Sequence, residues 1–199
     1  DVAMLARYAL DVPRLMDFVS TYEYTMRAQT TKRPQLWNYN KLLRRYPGVD
    51  GMKTGFTTAA GHCLVATAVR DGLRLIAVVL GSPTDAKRES DIRAMLDYGY
   101  NHFQRYVVLP KDSSVGTIII KKGEPEEVEA ILAEDFAVTL QRGQEQQVST
   151  ELTWFEGIKP PCSQGTVVGE MKAYLGDVEL GSIPVVTAVA VEQSSIFSL

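Results

Sequence analysis

The chain has 199 residues, of which 45% are hydrophobic, and it carries a formal net charge of -3. This length and apolar content suffice for one large or two small globular domains with a hydrophobic core. No basic run is long enough for a nucleic-acid-binding surface, and the acidic balance argues against one. No apolar run approaches the roughly 20 residues that span a bilayer, so no transmembrane helix is predicted within these residues.

The first part of the chain is predicted to contain short elements. Apolar residues recur at a helical spacing over residues 2–10, and a second short helix is predicted over residues 14–18. Residues 21–26 are rich in threonine and tyrosine, a composition typical of strands. Residues 30–48 are rich in turn-forming residues and predict mostly loop, with one helical turn near residues 41–45.

Three strands in an antiparallel meander are predicted next. They cover residues 49–54, 61–69 and 74–80, which are apolar runs with β-branched members. Asp71-Gly72 lies between the last two runs and favours a type I′ hairpin turn, because both residue types tolerate positive φ angles. Thr84 or Asp85 is then expected to cap a helix that runs to about residue 103 and packs across the sheet.

The remaining chain predicts a small β-sandwich, because its β-prone segments are short and are separated by turn signals. We place the domain boundary near residues 104–110. The predicted strands cover residues 115–120, 128–132, 136–140, 148–153, 165–170, 171–175, 178–180 and 183–191.

The sharpest candidate for a binding site is Lys53-Thr54-Gly55 at the end of the first meander strand. Strand alternation puts Lys53 and Gly55 on one face and Thr54 on the other. Glycine lets a ligand backbone approach closely, lysine supplies a cation for a carboxylate, and threonine supplies a hydroxyl donor. Because a strand edge also offers N–H and C=O groups to an extended peptide, the motif favours a peptide ligand that ends in a free carboxylate.

The context of this motif resembles the serine D-alanyl-D-alanine carboxypeptidases, which are low-molecular-mass penicillin-binding proteins. Residues 37–43, 49–69, 73–81 and 87–90 follow the order of that family. The resemblance implies an α+β fold. Residues 1–105 would be the second half of a penicillin-binding/β-lactamase-like transpeptidase domain, an antiparallel sheet with packed helices. Residues 106–199 would form a small all-β, sandwich-like domain.

The family uses Ser-x-x-Lys, Ser-x-Asn and Lys-Thr-Gly motifs and forms an acyl-serine intermediate. The resemblance implies that Lys53 and Thr54 bind the substrate carboxylate and that Gly55 lets the substrate lie along the strand. It also implies that the backbone N–H of Phe56 completes the oxyanion hole and that Thr57 contacts substrate. No serine here has lysine three residues on or asparagine two residues on. We therefore expect the nucleophile and its base to lie outside this sequence, in an upstream part of the same protein.

The resemblance further implies specific partners and a location. The substrate would be a peptidoglycan stem peptide that ends in D-Ala-D-Ala, and β-lactam antibiotics would also bind. The upstream fragment of the same protein would be a further partner. The location would be extracytoplasmic in the bacterial envelope, with a membrane anchor after residues 194–199. Two alternatives stay open: a non-catalytic peptidoglycan-binding module that keeps the groove, and a β-lactamase-type hydrolase.

Other candidate residues favour structural roles. The two histidines, His62 and His102, are far apart and lack paired cysteines, so neither a metal nor a cofactor is predicted. Asp50 and Glu89 are expected to form structural ion pairs. Cys63 lies in an apolar strand and predicts a buried free thiol.

Overall fold

A computed structural model describes residues 1–194 of the chain. The chain divides into two compact units, Asp1–Phe103 and a second unit that begins at Gln104. The expected approach to a membrane anchor falls partly on residues 195–199, which lie outside the described residues. None of the helices in the described part is both long and apolar enough to cross a membrane.

The first unit begins with short elements. Helices α1 (Val2–Leu10) and α2 (Leu15–Val19) precede an antiparallel hairpin of strands β1 (Glu23–Thr25) and β2 (Gln35–Trp37), and helix α3 (Leu42–Arg45) follows. The two predicted helices, the strand and the helical turn are confirmed. Strand β2 is not predicted by the sequence, because three residues in a turn-rich segment give no alternation, and only pairing with β1 defines them.

A three-stranded antiparallel sheet follows, with the order β3 (Val49–Thr57), β4 (Gly61–Arg70) and β5 (Leu73–Ser82). The predicted meander is therefore confirmed. Asp71 and Gly72 have φ angles of 48° and 75°. These angles match the turn that the Asp-Gly pair predicts.

Helix α4 (Asp85–His102) packs across this sheet. It begins where predicted, and the Thr84 hydroxyl oxygen accepts a hydrogen bond from the Lys87 N–H at 3.1 Å. Leu64 and Ala66 of β4 share one buried core with Ile92 and Leu96 of α4. The apolar periodicity of the helix thus covers one face of the sheet.

Helix α2 lies against the opposite face. A Cβ atom at Gly51 would lie 2.8 Å from the Thr67 hydroxyl oxygen and 3.4 Å from a methyl group of Val19. Since Thr67 alternates with Ala66 along β4, it faces away from α4. The close approach of the Thr67 hydroxyl therefore requires glycine at position 51.

The second unit is rich in β-structure, as predicted. The strands are β6 (Phe103–Leu109), β7 (Ser114–Ile119), β8 (Gly123–Glu124), β9 (Glu127–Leu132), β10 (Phe136–Gln141), β11 (Val148–Trp154), β12 (Val167–Leu175), β13 (Val178–Thr187) and β14 (Glu192–Gln193), with a 3-10 turn at Glu145–Gln147. A five-stranded sheet has the order β11-β12-β13-β9-β7, and two-stranded pairs join β10 to β6 and β14 to β8. Leu132, Leu140, Val168 and Val185 lie in the main core of this unit.

The structure corrects two strand predictions in this unit. The segments 165–170 and 171–175 form one strand, β12, and β13 joins segments 178–180 and 183–191 but ends at Thr187. The predicted break at Gly181 and Ser182 is absent, because these residues pair with Ala173 and Lys172 of β12. Strand β6 was not predicted, since its pairing with β10 is not visible in local sequence.

The cysteine prediction is also corrected. Cys63 and Cys162 are both free thiols, but each is half-buried. The Cys63 sulfur accepts a long hydrogen bond from the Gly81 N–H at 3.5 Å. Cys63 alternates with Leu64 along β4, so it lies on the face of the sheet opposite α4, near the start of the strand.

Candidate functional site

The Lys-Thr-Gly motif borders an open cleft of about 680 Å³ in the first unit. Lys53, Thr54, Gly55 and Phe56 form one wall along β3. The other lining residues are Tyr39, Lys41, His62, Asp85 and Arg88. Three cations and one carboxylate line this cleft, which therefore suits an anionic ligand.

The hydrogen-bond pattern of β4 fixes which backbone groups face this cleft. Asp71 and Gly72 form a two-residue turn, so Arg70 and Leu73 are a hydrogen-bonded pair. Counting back from Arg70, every second residue of β4, including Leu64 and His62, therefore forms its backbone hydrogen bonds with β5. The intervening residues bond to β3, which agrees with the Val69 N–H donating to the Gly48 carbonyl at 2.9 Å. This pattern shows, for each residue of β3, whether its backbone N–H and C=O groups point toward β4 or away from it.

Thr54 and Phe56 lie opposite Leu64 and His62 in the β3–β4 register. Their backbone N–H and C=O groups therefore point to the outer edge of β3, whereas those of Gly55 are used within the sheet. No strand among residues 1–194 pairs with that outer edge. An extended peptide can add to it by ordinary antiparallel or parallel pairing.

Lys53 and Thr54 differ in their surroundings. Lys53 is exposed, and its ammonium group donates a hydrogen bond to the carbonyl oxygen of Thr54. This bond agrees with the outward direction of the Thr54 carbonyl. Thr54 is half-buried. The motif therefore presents one cation beside a backbone edge with which no described strand pairs.

Gly55 is not required by packing. It pairs with Cys63, and a Cβ atom at position 55 would lie 3.7 Å from the Cys63 Cβ, an ordinary contact. Gly55 is also absent from the glycines with positive φ angles. Neither the fold nor the backbone conformation explains glycine at this position.

Phe56 is 62% exposed, and its ring lies 4.4 Å from the His62 ring between centroids. His62 also lines the cleft, and the structural role that the sequence favours for it stays a prediction. Thr57 lies at the end of β3, outside the lining of the cleft, and its hydroxyl oxygen accepts a hydrogen bond from the Ala60 N–H at 3.0 Å. A substrate contact for Thr57 stays a prediction.

The opposite wall carries a charged group that the sequence did not single out. Lys41 binds Asp85 at 2.8 Å, and Arg88 pairs with the same carboxylate. The hydrogen bond from Lys41 holds the pKa of Asp85 below its usual value, and the charge of Arg88 acts in the same direction. Arg88 is only 4% exposed, and it also donates to the Cys63 carbonyl at 3.3 Å. Its Nε is buried and has no hydrogen-bond partner among residues 1–194.

One sequence signal could have found this residue. Arg88 falls in the first turn of α4, where the helix dipole disfavours a cation. A buried arginine there needs a compensating carboxylate, and Asp85 three residues earlier supplies it. Lys41, by contrast, is brought next to Asp85 only by the tertiary fold, so the local sequence does not indicate this contact.

The predicted structural ion pairs are present. Arg74 binds both oxygens of Asp50, at 3.1 and 2.9 Å, and the Thr67 hydroxyl donates to Asp50 at 2.7 Å. Glu89 pairs with Arg45 at 3.4 Å. Among residues 1–194, no group of three or more His, Cys, Asp or Glu side chains is arranged to hold a metal ion.

Two family models match the chain. A D-alanyl-D-alanine carboxypeptidase model matches residues 1–84, and a model of the C-terminal domain of penicillin-binding protein 5 matches residues 103–193. The second match begins at residue 103, next to the start of the second compact unit, whereas the first match ends at residue 84, before helix α4.

Individual proteins agree with this assignment. The chain is 31% identical over 172 residues to D-alanyl-D-alanine carboxypeptidase DacF of Bacillus subtilis, covering 86% of this chain and 44% of the relative. It is 31% identical to DacC of Escherichia coli, covering 99% of this chain and 49% of that relative. The chain thus spans less than half the length of these relatives.

Solved structures extend the comparison to the fold. Penicillin-binding protein 5 from Haemophilus influenzae matches with a TM-score of 0.68 and 26% identity, covering 96% of this chain and 55% of that structure. Sequence and fold therefore agree along nearly the whole chain. The chain belongs to the D-alanyl-D-alanine carboxypeptidase family, and its second part corresponds to the C-terminal domain of penicillin-binding protein 5.

Proposed function

We propose that this chain is part of a serine D-Ala-D-Ala carboxypeptidase that removes the terminal D-alanine from peptidoglycan stem peptides through an acyl-serine intermediate. The observation that carries the proposal is the unpaired outer edge of β3 at Thr54 and Phe56, next to the Lys53 cation. An extended peptide that ends in a carboxylate satisfies both features at once. Residues 1–105 contribute the Lys-Thr-Gly half of the catalytic domain, and residues 106–199 form the β-rich domain.

The substrate carboxylate lies against Lys53 and the Thr54 hydroxyl in this proposal. Charge-assisted hydrogen bonds to a carboxylate are roughly twice as strong as neutral ones. Lys41 and Arg88 add positive charge to the same cleft, while Asp85 offsets part of it. The net positive cleft therefore favours an anionic peptide end over a neutral one.

The substrate backbone lies along the outer edge of β3. Gly55 has no packing role, and its missing side chain leaves room for the peptide between Thr54 and Phe56. The Phe56 N–H points outward beside this path and is available to the oxyanion that forms at the scissile carbonyl. Such a donor typically contributes about 2.7–4 kcal/mol to transition-state stabilisation.

The nucleophile comes from outside this sequence in the proposal. None of the residues that line the cleft is a serine or cysteine. Helix α1 also exposes large apolar side chains, with Met4 at 74%, Leu5 at 66% and Tyr8 at 71% exposure. An apolar surface of this kind is typical of one that another part of a protein covers. The upstream fragment of the same protein is the partner we propose for it.

Location and inhibition follow from the same proposal. The substrate lies outside the cytoplasm, so the enzyme is extracytoplasmic, and a C-terminal anchor attaches it to the membrane surface. β-Lactam antibiotics present a carboxylate beside a reactive carbonyl and occupy the same cleft. The β-lactamase alternative has no specific observation in its favour, because the relatives are carboxypeptidases.

Intact mass spectrometry after incubation with benzylpenicillin tests the proposal, using this chain together with the co-expressed upstream polypeptide. We expect a penicilloyl adduct on the upstream polypeptide only when this chain is present. Lys53→Ala should reduce the adduct, whereas Lys32→Ala, on an exposed lysine outside the cleft, should not. An adduct on this chain would overturn the placement of the nucleophile. A complete protein that binds stem peptide without forming any adduct would favour the non-catalytic binding module.

A further inference from the structure

A second cavity lies wholly within the second unit, and the proposed catalysis does not use it. It has a volume of about 800 Å³ and is lined by apolar and aromatic side chains that include Ile118, Ile119, Trp154, Phe155 and Ile158. Ile119, Trp154 and Phe155 are 63%, 37% and 47% exposed. We call this cavity the β-domain groove. Such a concentration of exposed apolar side chains is typical of an interaction surface.

Two edge strands border the groove. Strands β7 and β11 are the opposite ends of the five-stranded sheet, yet Ile119 of β7 and Trp154 of β11 line the same cavity. The two strands also approach each other directly, since a Cβ atom at Gly116 would lie 3.2 Å from the Trp154 ring. The curled sheet therefore brings its two edges to one site.

The hydrogen-bond pattern shows which backbone groups these edges expose. The Ile120 N–H donates to the Glu126 carbonyl at 2.8 Å, so by alternation Ile118 bonds to β9 and Ile119 points its N–H and C=O groups outward. The Phe155 N–H donates to the Val168 carbonyl at 2.9 Å, which leaves the Trp154 backbone on the outer edge of β11. Within residues 1–194, neither outer edge pairs with another strand.

The charge of the groove selects among extended ligands. Lys121, Lys122 and Lys159 line it, against the single carboxylate of Glu156. None of the three lysines forms an ion pair with any described residue. The chain as a whole carries a net charge of -3. The positive rim is therefore a local departure from the overall charge and complements an acidic ligand.

We propose that the β-domain groove binds an extended acidic peptide segment of a partner protein, which adds as a strand to the outer edge of β7. Its backbone pairs with Ile119, its apolar side chains pack against Trp154 and Phe155, and its carboxylates face Lys121 and Lys159. Backbone pairing supplies affinity and the alternate side chains supply selectivity. The floor of the groove is firm, because Ile118 and Ile158 pack on the buried cluster of Ile120, Val128 and Val191.

Fluorescence anisotropy of the full chain with labelled model peptides tests this proposal. The probes are three ten-residue peptides: alternating Val-Glu, alternating Val-Lys, and Val-Glu that is N-methylated at every residue and therefore cannot donate backbone hydrogen bonds. We expect binding of the first peptide only, weakened at 1 M NaCl, where the Debye length is about 3 Å. In a Trp37→Phe variant, the emission of Trp154 should shift to the blue on binding, which assigns the contact to the groove.

Matched variants separate the contribution of the lysine charges to binding from that of backbone pairing with β7. Lys121→Glu/Lys159→Glu should weaken binding about tenfold or more, whereas Lys32→Glu/Lys111→Glu, with the same change in net charge, should not. Ile119→Pro removes an outward N–H without breaking the β7–β9 ladder and should abolish binding. Thr150→Pro is the matched control, since Thr150 lies on the outward-facing register of β11 away from the groove.

Several results would overturn the proposal. Equal binding of the N-methylated peptide would exclude strand addition, and equal binding of the Val-Lys peptide would exclude charge selection. Failure of all three peptides, together with sedimentation of the chain with phosphatidylglycerol vesicles that Lys121→Glu/Lys159→Glu abolishes, would assign the groove to a membrane surface instead. Because the readouts are binding to the second unit, failure here leaves the proposed peptidase function untouched.

Discussion

Gly55 and Cys63 face each other across β3 and β4, and the space between them would accept one more carbon atom. A Cβ at Gly55 would lie 3.7 Å from the Cβ of Cys63. Only four residues earlier on the same strand, a Cβ at Gly51 would lie 2.8 Å from the Thr67 hydroxyl oxygen. One glycine is therefore required by the fold, and the other is not.

Gly55→Ala should separate binding from stability. The extra methyl group enters the space above the outer edge of β3, where the proposed substrate lies. We expect the free energy of unfolding to stay within about 0.5 kcal/mol of wild type. For this chain together with the upstream polypeptide, the rate of acylation by benzylpenicillin should fall at least tenfold. This corresponds to roughly 1.4 kcal/mol in activation free energy. Urea unfolding and adduct formation with time measure the two quantities.

Gly51→Ala is the matched control. Its Cβ meets Thr67, so this variant should lose about 1–3 kcal/mol of stability by overpacking. If Gly55→Ala destabilised the chain as much as Gly51→Ala, the glycine of the motif would have a structural role. Full acylation by Gly55→Ala would show that the substrate does not lie along this edge.

Lys53→Ala should weaken ligand binding without unfolding the chain. The Lys53 side chain is exposed, and its ammonium group bonds only to the Thr54 carbonyl among the described residues. Loss of a charge-assisted hydrogen bond to the substrate carboxylate should cost about ten- to a hundredfold in affinity. Titration calorimetry with an acyl-D-Ala-D-Ala peptide measures this loss. The same peptide with an amidated C-terminus is the control, and it should bind both proteins equally weakly.

Local sequence predicted the meander well because its signals are local. Asp71-Gly72 defines the turn, and the apolar runs on both sides determine the register of β4 and β5. Strand β6 was missed because it pairs with β10, about thirty residues away. Gly181 and Ser182 suggested a break in β13, but they pair with Ala173 and Lys172 of β12, and local sequence does not specify that pairing.

Only the part of the site that depends on local sequence was predicted. The Lys-Thr-Gly motif is contiguous, so its residues could be named from the sequence. The outward direction of the Phe56 N–H depends on the β3–β4 register, which no local pattern specifies. The ion pair of Lys41 with Asp85 joins positions 44 residues apart. Tertiary packing alone brings that charge to the cleft.

Tyr46 should make the first unit sensitive to high pH. Burial and a 2.5 Å hydrogen bond to Asp97 raise the pKa of Tyr46 from 10.0 to about 12. A raised pKa in the folded state stabilises the protein fully below pH 10, and this contribution is lost as pH rises through 12. We therefore expect the free energy of unfolding to fall over that window.

Tyr46→Phe tests the assignment. At pH 7 the variant should lose about 1 kcal/mol with the hydrogen bond to Asp97. Above pH 10 it should lose less stability than wild type, so the two curves converge. Tyr8→Phe, on a tyrosine that is 71% exposed, is the control and should follow wild type throughout. Parallel curves for Tyr46→Phe and wild type would place the alkaline sensitivity elsewhere.

Lys41→Met should reveal the opposite pH dependence at the cleft. The hydrogen bond from Lys41 holds the pKa of Asp85 below its ordinary value of 3.8. A lowered pKa stabilises the folded state above pH 3.8, and this stabilisation is lost as pH falls through the folded value. Both side chains are partly exposed, at 43% and 38%, so the pair should contribute less than about 1 kcal/mol at pH 7.

The difference between Lys41→Met and wild type should therefore vanish in acid, as followed by urea unfolding from pH 7 to about pH 2. Asp85→Asn supplies the second arm of a double-mutant cycle. In that background Lys41→Met should have no further effect, because no carboxylate is left to pair with. An effect that persists in Asp85→Asn, or at low pH, would mean that the aliphatic part of Lys41 stabilises the cleft by packing.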